Sequence, residues 1–403
     1  MSNDTRPEIR FPGFTEDWEE RKLGEVFQQT VEYIDPKEVG LELWSVTVEN
    51  GLTPKSERYN REFLVKKNDK FKAIHPDEIV YNPMNMTLGS IGFNNSGKNV
   101  AVSGYYVTMK LNKGFDSKYF AAWLPSPNAI NLYKLYATGS LIERQRVQFP
   151  TLSGIKTLMP ILNEQKQIGL FFKQLDDTIA LHQRKLDLLK ETKKGFLQKM
   201  FPKNGAKVPE IRFPGFTGDW EQRKLGDVLS ERNDQTPETN EYPLMSFVQG
   251  KGVTPKGERY NRSFLVKDSE KKYKKTELGD FIYSSNNLET GSIGFNRTGK
   301  AVISPVYSIF KSKKSRESQF IGIMSARKDF ISKMVRFRQG VVYGQWRIHE
   351  SDFLNIDMKM PNDKEQQLII SFFENIDKTI ALHQRKLDLL KETKKGFLQK
   401  MFV

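Results

Sequence analysis

The sequence contains no cysteine, only four histidines, and no long uninterrupted run of apolar residues. Without cysteine, the protein can form no disulfide, thiolate metal site or cysteine nucleophile. A membrane-spanning helix needs about 20 apolar residues and is therefore not expected. The first six residues, Met1 to Arg6, lack the apolar core of a secretory signal. These absences favour a soluble protein of the cytoplasm with no membrane partner.

Positive charge is in clear excess. Lysine and arginine number 64 against 49 aspartates and glutamates, so the formal net charge is +15. Such a surplus favours anionic partners, with nucleic acid as the first candidate and membrane lipid as the second. The length of 403 residues indicates two or more domains, and a hydrophobic content of 37% suffices for ordinary cores.

The chain is an internal duplication. The segment EIRFPGF occurs at 8–14 and again at 210–216, and GSIGFN starts at Gly89 and again at Gly291. A 21-residue segment, LHQRKLDLLKETKKGFLQKMF, occurs unchanged from Leu181 and from Leu382. The unit is far longer than a solenoid repeat, so it is a duplicated domain.

Each copy divides into a globular segment and a helical tail. Short runs of β-branched and aromatic residues predict strands at 78–84, 100–110, 280–286 and 301–311. Short helices are predicted around 118–124 and 319–325. The predicted fold class is α/β: two similar mixed α/β domains at 1–157 and 204–358, and two long helices at 158–203 and 359–403. We expect these helices to form an antiparallel coiled coil with a pseudo-twofold axis.

The tails carry a heptad pattern, in which residues recur at intervals of four and three. The first seam contains Ile168, Phe172, Leu175, Ile179, His182, Leu186, Leu189, Lys193, Phe196 and Met200. The second contains Ile369, Phe373, Ile376, Ile380, His383, Leu387, Leu390, Lys394, Phe397 and Met401.

Two alternatives remain open for the seam histidines, His182 and His383. They can approach each other at the axis and fix the register, or each can be partly solvated at the seam edge. Several apolar residues lie off the seam and need other cover. The adjoining globular domain or another subunit can provide it, and another subunit suits Leu188 and Leu389 at least as well. Lys193, Lys194 and the KETKKG run are interpreted as a solvated helix face.

Two segments resemble parts of enzyme active sites, but neither is complete. Gly92 to Lys98 and Gly294 to Lys300 have the spacing of a phosphate-binding loop. In that loop a Ser or Thr follows the lysine and a helix begins, whereas here Asn99 or Ala301 follows and a strand is expected. We interpret both as hairpin turns. No repeated spacing of His, Asp or Glu indicates a metal site.

Three sequence patterns, taken together, resemble those of a known family. The pattern W-x-x-x-K-L-G-[ED]-V occurs at 18–26 and at 220–228, and Glu-Gln opens each long helix at 164–165 and 365–366. Each domain closes with Gly139 or Gly340, then Arg146 or Arg347, then a strand centred on a proline. This combination resembles the specificity subunit of type I restriction–modification systems, over essentially the whole chain.

The resemblance implies a non-catalytic protein whose two target recognition domains each bind one half of a bipartite double-stranded DNA sequence. The helices would set the spacing and bind two methyltransferase subunits through the seam region, including Leu186, Leu188, Leu189, Leu387, Leu389 and Leu390. Restriction subunits would join through the methyltransferases. S-adenosylmethionine, ATP and Mg²⁺ would belong to those partners, with no cofactor in this chain.

Comparing the two copies suggests which residues contact DNA. Residues shared by both copies are candidates for the phosphates, and loops that differ are candidates for the bases. The predicted DNA-binding residues are Arg58, Arg61, Asn85, Thr87, Asn95, Lys98, Arg144, Arg259, Arg262, Asn286, Asn287, Arg297, Lys300, Gln345 and Arg347. Among these, Asn85, Arg144, Arg297 and Gln345 are the preferred base readers. A coiled-coil scaffold with incidental charge and a self-contained DNA-modifying enzyme remain alternatives.

Overall fold

A computed structural model describes residues 5–55, 70–139, 145–203, 205–248, 250–255 and 271–403. The chain forms two compact units. The first comprises residues 1–184 and 385–403, and the second comprises residues 185–384. Each unit therefore contains one globular segment and parts of both long helices. Among the described residues, none of the helices combines the length and apolar content that crossing a bilayer requires.

The first unit contains eleven strands among its described residues: β1 Glu19–Lys22, β2 Phe27–Thr30, β3 Tyr33–Ile34, β4 Trp44–Thr47, β5 Gly51–Pro54, β6 Phe71–Ile74, β7 Ile79–Tyr81, β8 Ile91–Phe93, β9 Val100–Ser103, β10 Val107–Leu111 and β11 Lys156–Met159. Its helices are α1 Leu23–Val26, α2 Pro36–Val39, α3 Ser117–Trp123, α4 Pro127–Tyr136, α5 Phe149–Gly154 and the start of α6 Leu162–Lys199.

The described part of the second unit repeats the strands as β12 Glu221–Lys224, β13 Leu229–Glu231, β14 Gln235–Thr236, β15 Met245–Val248, β16 Gly252–Pro255, β17 Tyr273–Thr276, β18 Phe281–Tyr283, β19 Ile293–Phe295, β20 Ala301–Ile303, β21 Ser308–Ser312 and β22 Asp357–Met360. Its helices are α7 Leu225–Val228, α8 Glu317–Met324, α9 Lys328–Val335, α10 Glu350–Leu354 and most of α11 Asp363–Lys400.

The sheets have the same topology in both units. In the first, the strands form a four-stranded sheet β2-β10-β7-β8, a three-stranded sheet β3-β6-β9 and the pairs β4-β5 and β1-β11. The second repeats this order strand for strand, as β13-β21-β18-β19, β14-β17-β20, β15-β16 and β12-β22. The strand pairs are antiparallel. The predicted class of two mixed α/β repeats with two long helices is confirmed.

Each main core lies between the four-stranded sheet and the helices. In the first unit it includes Trp18, Phe27, Phe120 and Phe172, and in the second Trp220, Phe281, Phe320 and Phe373. The end of the other helix closes each core. Phe402 stacks on Phe172 with ring centroids 5.6 Å apart, and Phe201 packs near Phe373.

The seam residues of both long helices are buried or half-buried. The helices run antiparallel within each unit. In the first, Phe171 contacts Phe397 at 5.0 Å between ring centroids, and Asp176 contacts Lys394. In the second, Phe196 contacts Phe372 at 4.8 Å, and Lys193 contacts Asp377. In both cases the residue number rises on one helix as it falls on the other.

The signature residues have structural roles. Trp18 and Leu23 are buried, and the Glu25 carboxylate accepts a hydrogen bond from the Lys22 backbone N–H at the start of α1. Gln165 is buried, and its side-chain amide donates to the Pro160 carbonyl at 2.9 Å. Gln366 repeats this contact with Pro361 at 2.8 Å. The glutamine therefore anchors the helix to the turn that precedes it.

The hairpin interpretation of 92–98 and 294–300 is wrong, although strands follow both turns as expected. The flanking strands β8 and β9 belong to different sheets, and so do β19 and β20. The physical reason is a buried asparagine within each turn. The Asn94 amide donates to the carbonyls of Ile74 and Lys98, and these bonds close a loop that carries the chain from one sheet to the next.

The segment before each long helix also differs from the prediction. A helix, α5 or α10, follows the arginine that both copies share, and the strand β11 or β22 comes after it. Each of these strands ends just before the proline, Pro160 or Pro361, because proline has no N–H to extend a ladder. The short helices predicted around 118–124 and 319–325 are confirmed as α3 and α8.

Candidate nucleic-acid interface

In the second unit, two of the loops that differ between the copies lie against each other. These are the 3₁₀ turn Ser285–Asn287 and the loop 339–347. The Tyr343 hydroxyl donates to Asn287 Oδ1 at 3.0 Å, and the Gly344 N–H donates to Asn286 Oδ1 at 3.1 Å. Residues that are 56 and 58 positions apart in sequence thus form one cluster.

The loop 339–347 is fixed at its base. Gln339 and Arg347 pair through two backbone hydrogen bonds of 2.7 and 2.9 Å. Behind them, Arg338 donates to Glu289 at 2.7 Å and lies over the Trp346 ring at 4.5 Å. The hydrogen bond from Arg338 lowers the pKa of Glu289, so this carboxylate stays ionised.

The tip of this loop is exposed and partly apolar. Val341 is 91% exposed and Tyr343 is 65% exposed, while Gln345 and Arg347 lie beside them near the surface. Amide and guanidinium groups can hydrogen-bond to base edges, and apolar groups can contact a thymine methyl. A braced loop with such a tip is suited to contact the floor of a DNA groove.

The first unit has the corresponding frame. Thr138 pairs with Arg146, and the Val147 N–H donates to the Pro83 carbonyl at 3.0 Å. Asn85 is exposed in the turn before the 3₁₀ helix Met86–Leu88, whereas Thr87 is buried. Burial leaves Thr87 poorly placed for contact with DNA.

The turns at 92–98 and 294–300 contain three more of the predicted DNA-binding residues, and each of the three forms an ion pair. Lys98 contacts Glu42 at 2.8 Å, and Lys300 contacts Glu241 at 2.5 Å, both on the surface. The hydrogen bond with Glu241 raises the pKa of Lys300. Arg297 instead contacts Asp377 of α11. Asn95 lines a cleft between its turn and α6.

The predicted residues therefore do not all lie together. The structure brings Asn286, Asn287, Gln345 and Arg347 into one cluster and leaves Arg297 against the helix. Arg58, Arg61, Arg144, Arg259 and Arg262 lie outside the described residues. Sequence comparison marked the loop 339–346 as different from its copy, but it did not single out Tyr343 or Val341. The two adjacent valines at positions 341 and 342 are unusual in a polar loop and could have indicated an exposed contact surface.

The predicted seam and docking residues of α6 and α11 differ in their exposure to solvent. Leu186 and Leu387 are buried in the seam, and Leu189 and Leu390 are half-buried. Leu188 and Leu389 remain 66% and 64% exposed. His182 and His383 are half-buried and belong to different units, so their approach stays a prediction. Lys193 is not on a solvated face, because it contacts Asp377.

Nothing in the described part of the chain resembles a metal centre. No group of three or more His, Asp or Glu side chains is close enough there to hold an ion. The polar clusters are instead ion pairs and loop braces.

Comparisons with known proteins agree with this architecture. Residues 15–191 and 217–392 each match the family described as type I restriction modification DNA specificity domain. The chain is 24% identical to the type I restriction enzyme MjaVIII specificity subunit of Methanocaldococcus jannaschii, over 95% of this chain and 91% of that protein. It is 22% identical to the putative MjaX specificity subunit of the same organism, over 66% of this chain and 63% of that protein. The crystal structure of a type I restriction–modification S subunit from M. genitalium superposes with a TM-score of 0.65 at 13% identity, covering 99% of both chains.

Proposed function

The chain belongs to the family of type I restriction modification DNA specificity domains, and from this premise we propose that it is the DNA-recognition subunit of such a complex. Each globular domain contacts one half of a bipartite double-stranded DNA target. The long helices set the spacing of the half-sites. The chain itself performs no catalysis.

One observation carries the proposal. The two domains share their sheets strand for strand, yet the loops at 82–87 and 284–289, and at 138–145 and 339–346, differ in sequence. A constant frame with variable loops is what two readers of different short sequences require, because loops can change without disturbing the core.

The cluster in the second unit supplies the groups for base recognition. A glutamine such as Gln345 can donate to and accept from adenine in the major groove, and Arg347 can bind guanine. Lys98 and Lys300 suit the phosphates. Their ion pairs with Glu42 and Glu241 are exposed, and an exposed pair contributes at most about 1 kcal/mol to stability. A DNA phosphate can therefore replace the glutamate carboxylate as the partner of each lysine.

The partners follow from the same proposal. Two methyltransferase subunits bind the long helices, and restriction subunits join through them. S-adenosylmethionine, ATP and Mg²⁺ act on those partners, and this chain carries no cofactor. The assembly works in the cytoplasm, where its DNA is. The exposed Leu188 and Leu389 support a docking role for the helices. Leu181 and Leu382, about two turns earlier on the same helix faces, are also exposed, and an apolar stripe exposed to solvent favours a partner.

Methylation sequencing tests the proposal. Cells that express the chain with its methyltransferase subunit are expected to show one bipartite methylated sequence, which is absent when the chain is deleted. Gln345→Ala is expected to alter the base preference in one half-site and leave the other unchanged. Gln222→Ala, an exposed glutamine on β12, is the control and is expected to change neither. Methylation that persists without the chain would overturn the proposal.

A further inference from the structure

Asp377, on helix α11, joins three elements of the second unit. Its Oδ1 accepts a hydrogen bond from Lys193 Nζ on α6 at 2.5 Å. Its Oδ2 lies 2.9 Å from Nη1 of Arg297, which belongs to the turn after β19. The side chains of Arg297 and Asp377 are only 23% and 22% exposed. One carboxylate thus connects both long helices to the recognition domain.

Arg297 is held from a second side as well. Its guanidinium lies over the Phe295 ring, 4.1 Å from the ring centroid. A guanidinium stacked on an aromatic ring and paired with a carboxylate loses much of its freedom to rotate. The group is therefore poorly placed to turn outward toward a base edge.

Two further polar contacts join the domain to the same helix. Arg316, at the start of α8, forms an ion pair with Glu374 of α11. Ser315 Oγ accepts a hydrogen bond from the Gln367 side chain at 2.7 Å. Positions 367, 374 and 377 lie on one face of α11, because they are separated by about two and one helical turns. This face is the contact between helix and domain.

The first unit keeps the contact between the two helices but lacks the arginine. Asp176, the counterpart of Asp377, contacts Lys394 at 2.5 Å, and Asn95 occupies the position of Arg297. Between the Asn95 turn and α6 lies a cleft of about 620 Å³, lined by Asn95, Lys118 and Asp176 among others. In the second unit, Arg297 and Asp377 line a cleft of about 260 Å³ together with Lys193 of α6.

We propose that Arg297 is a positioning residue that fixes the second recognition domain to the long helices through Asp377, and that it does not contact a base. The inference rests on the proposed function, in which the helices set the half-site spacing. A domain that can shift on its helix would accept DNA with an altered spacer between the half-sites. A domain held by the Arg297–Asp377 pair accepts only one spacer length.

The first test is thermodynamic and needs no DNA. Arg297→Ala, Asp377→Asn and the double variant of the full chain are compared by urea unfolding. We expect the two single changes to be non-additive, with a coupling of roughly fivefold or more in the unfolding equilibrium constant. Arg223→Ala is the matched control, since Arg223 pairs with Glu221 on β12. The changes in the free energy of unfolding caused by Arg223→Ala and Asp377→Asn are expected to be additive. Additive effects of Arg297→Ala and Asp377→Asn would overturn the proposal.

The second test measures spacing and sequence separately. Methylation of a duplex library is scored for spacers one base pair shorter and longer than the natural length, and for each base of both half-sites. We expect Arg297→Ala to keep both half-site sequences and to lose roughly tenfold in discrimination against the wrong spacer. Arg297→Lys keeps a positive charge beside Asp377 but cannot stack on Phe295 as a guanidinium does, so it is expected to restore part of the discrimination.

The outcomes are separable. A changed base preference in one half-site with unchanged spacing would overturn the proposal and make Arg297 a base reader, as the sequence comparison suggested. Unchanged sequence and unchanged spacing would also overturn it. If the wild-type chain directs no bipartite methylation, the proposed function fails, while the unfolding experiment still decides whether Arg297 and Asp377 are coupled.

Discussion

Arg10 forms a two-point ion pair with Glu164, with Nε 2.7 Å from Oε1 and Nη2 2.8 Å from Oε2. The Glu164 side chain is fully buried, and the hydrogen bonds that its carboxylate accepts from Arg10 raise the pKa of Arg10. Arg212 and Glu365 repeat the pair in the second unit, with both distances at 2.7 Å. The N-terminal EIRFPGF segment of each copy is thereby attached to the start of its long helix.

Glu164→Ala is expected to destabilise the first unit by about 3 kcal/mol, because it leaves a guanidinium with little solvent and no partner. Urea unfolding of the full chain measures the change. Arg10→Met combined with Glu164→Leu is the control, and it is expected to cost less than the single change because no charge remains buried. A single variant as stable as the wild type would contradict the importance of the pair.

Gly169→Ala is expected to disturb the contact between α6 and α3. A Cβ at this position would lie 2.5 Å from Asp116 Oδ1 and 2.5 Å from the Tyr119 backbone nitrogen, so the helix must shift. We expect a loss of about 1–3 kcal/mol, typical of overpacking. Thermal unfolding provides the measurement.

Gly195→Ala in the same helix is the matched control, since a Cβ added there would have no neighbouring atom within 4 Å outside its own helix turn. It is expected to stabilise the helix by about 0.5–1 kcal/mol, because alanine loses less backbone entropy than glycine. Equal effects of the two substitutions would show that the close approach at Gly169 is unimportant.

Lys300→Ala is expected to weaken DNA binding about equally for all sequences. Removing one phosphate contact should reduce the slope of log K against log salt by about one. Titrations of a labelled duplex at several salt concentrations measure the slope. Lys207→Ala is the control, because Lys207 pairs with Asp219 at 3.1 Å outside the proposed interface. A change of target sequence in Lys300→Ala would assign this residue to base recognition instead.

Leu188→Arg and Leu389→Arg are each expected to reduce binding of the methyltransferase subunit at least about tenfold, since truncating or charging a central apolar contact typically costs about 2 kcal/mol or more. Co-purification and titration of the two proteins measure the effect. Folding is expected to be unaffected, because both leucines are exposed. Leu186→Arg is the contrasting change and is expected to unfold the seam, where Leu186 is buried. Unchanged binding would place the docking surface elsewhere.

His75 is expected to make the stability of the first unit depend on pH. Its Nε2 lies 2.7 Å from Glu32 and its Nδ1 3.1 Å from Asn99. The contact with Glu32 raises the pKa of His75 above its usual 6.5. A raised folded pKa means that the stabilisation is complete below the unfolded pKa and is lost as the pH rises through the folded pKa.

His75→Gln should therefore cost more at about pH 5.5 than at about pH 8.5, with a difference below about 1 kcal/mol for a pair this exposed. Unfolding curves at the two pH values measure it. Glu32→Gln is expected to remove most of the pH dependence. A penalty that grows with pH would contradict the assignment.

Much of the architecture followed from the sequence. Because the chain is duplicated, the strands predicted at 78–84 and 100–110 in the first copy have counterparts at 280–286 and 301–311 in the second. The structure divides each of the segments 100–110 and 301–311 into two strands that belong to different sheets. The heptad positions identified the buried face of both long helices, since burial follows a spacing that is visible in one dimension. Helices α4 and α9 were missed, although Ser126 caps α4 by accepting from the Ala129 N–H and Pro127 occupies its first position, which is a readable signal.

Contacts between distant residues required the tertiary structure. The hairpin interpretation failed at 92–98 because pairing depends on which strand lies alongside, and β8 and β9 have partners in different sheets. Arg297 was expected to face DNA because its loop differs from the first copy. Its partner is Asp377, far along the chain on another element, and no local pattern indicates such a pair.

The sequence by itself determined the repeat, the type of each domain and the face that each long helix buries, because these depend on composition, periodicity and identity between segments. Only the tertiary structure decided which polar side chains are already engaged with other parts of the chain. Ion pairs and loop braces form between residues that folding brings together, and their energy depends on distance and burial that a linear pattern does not contain.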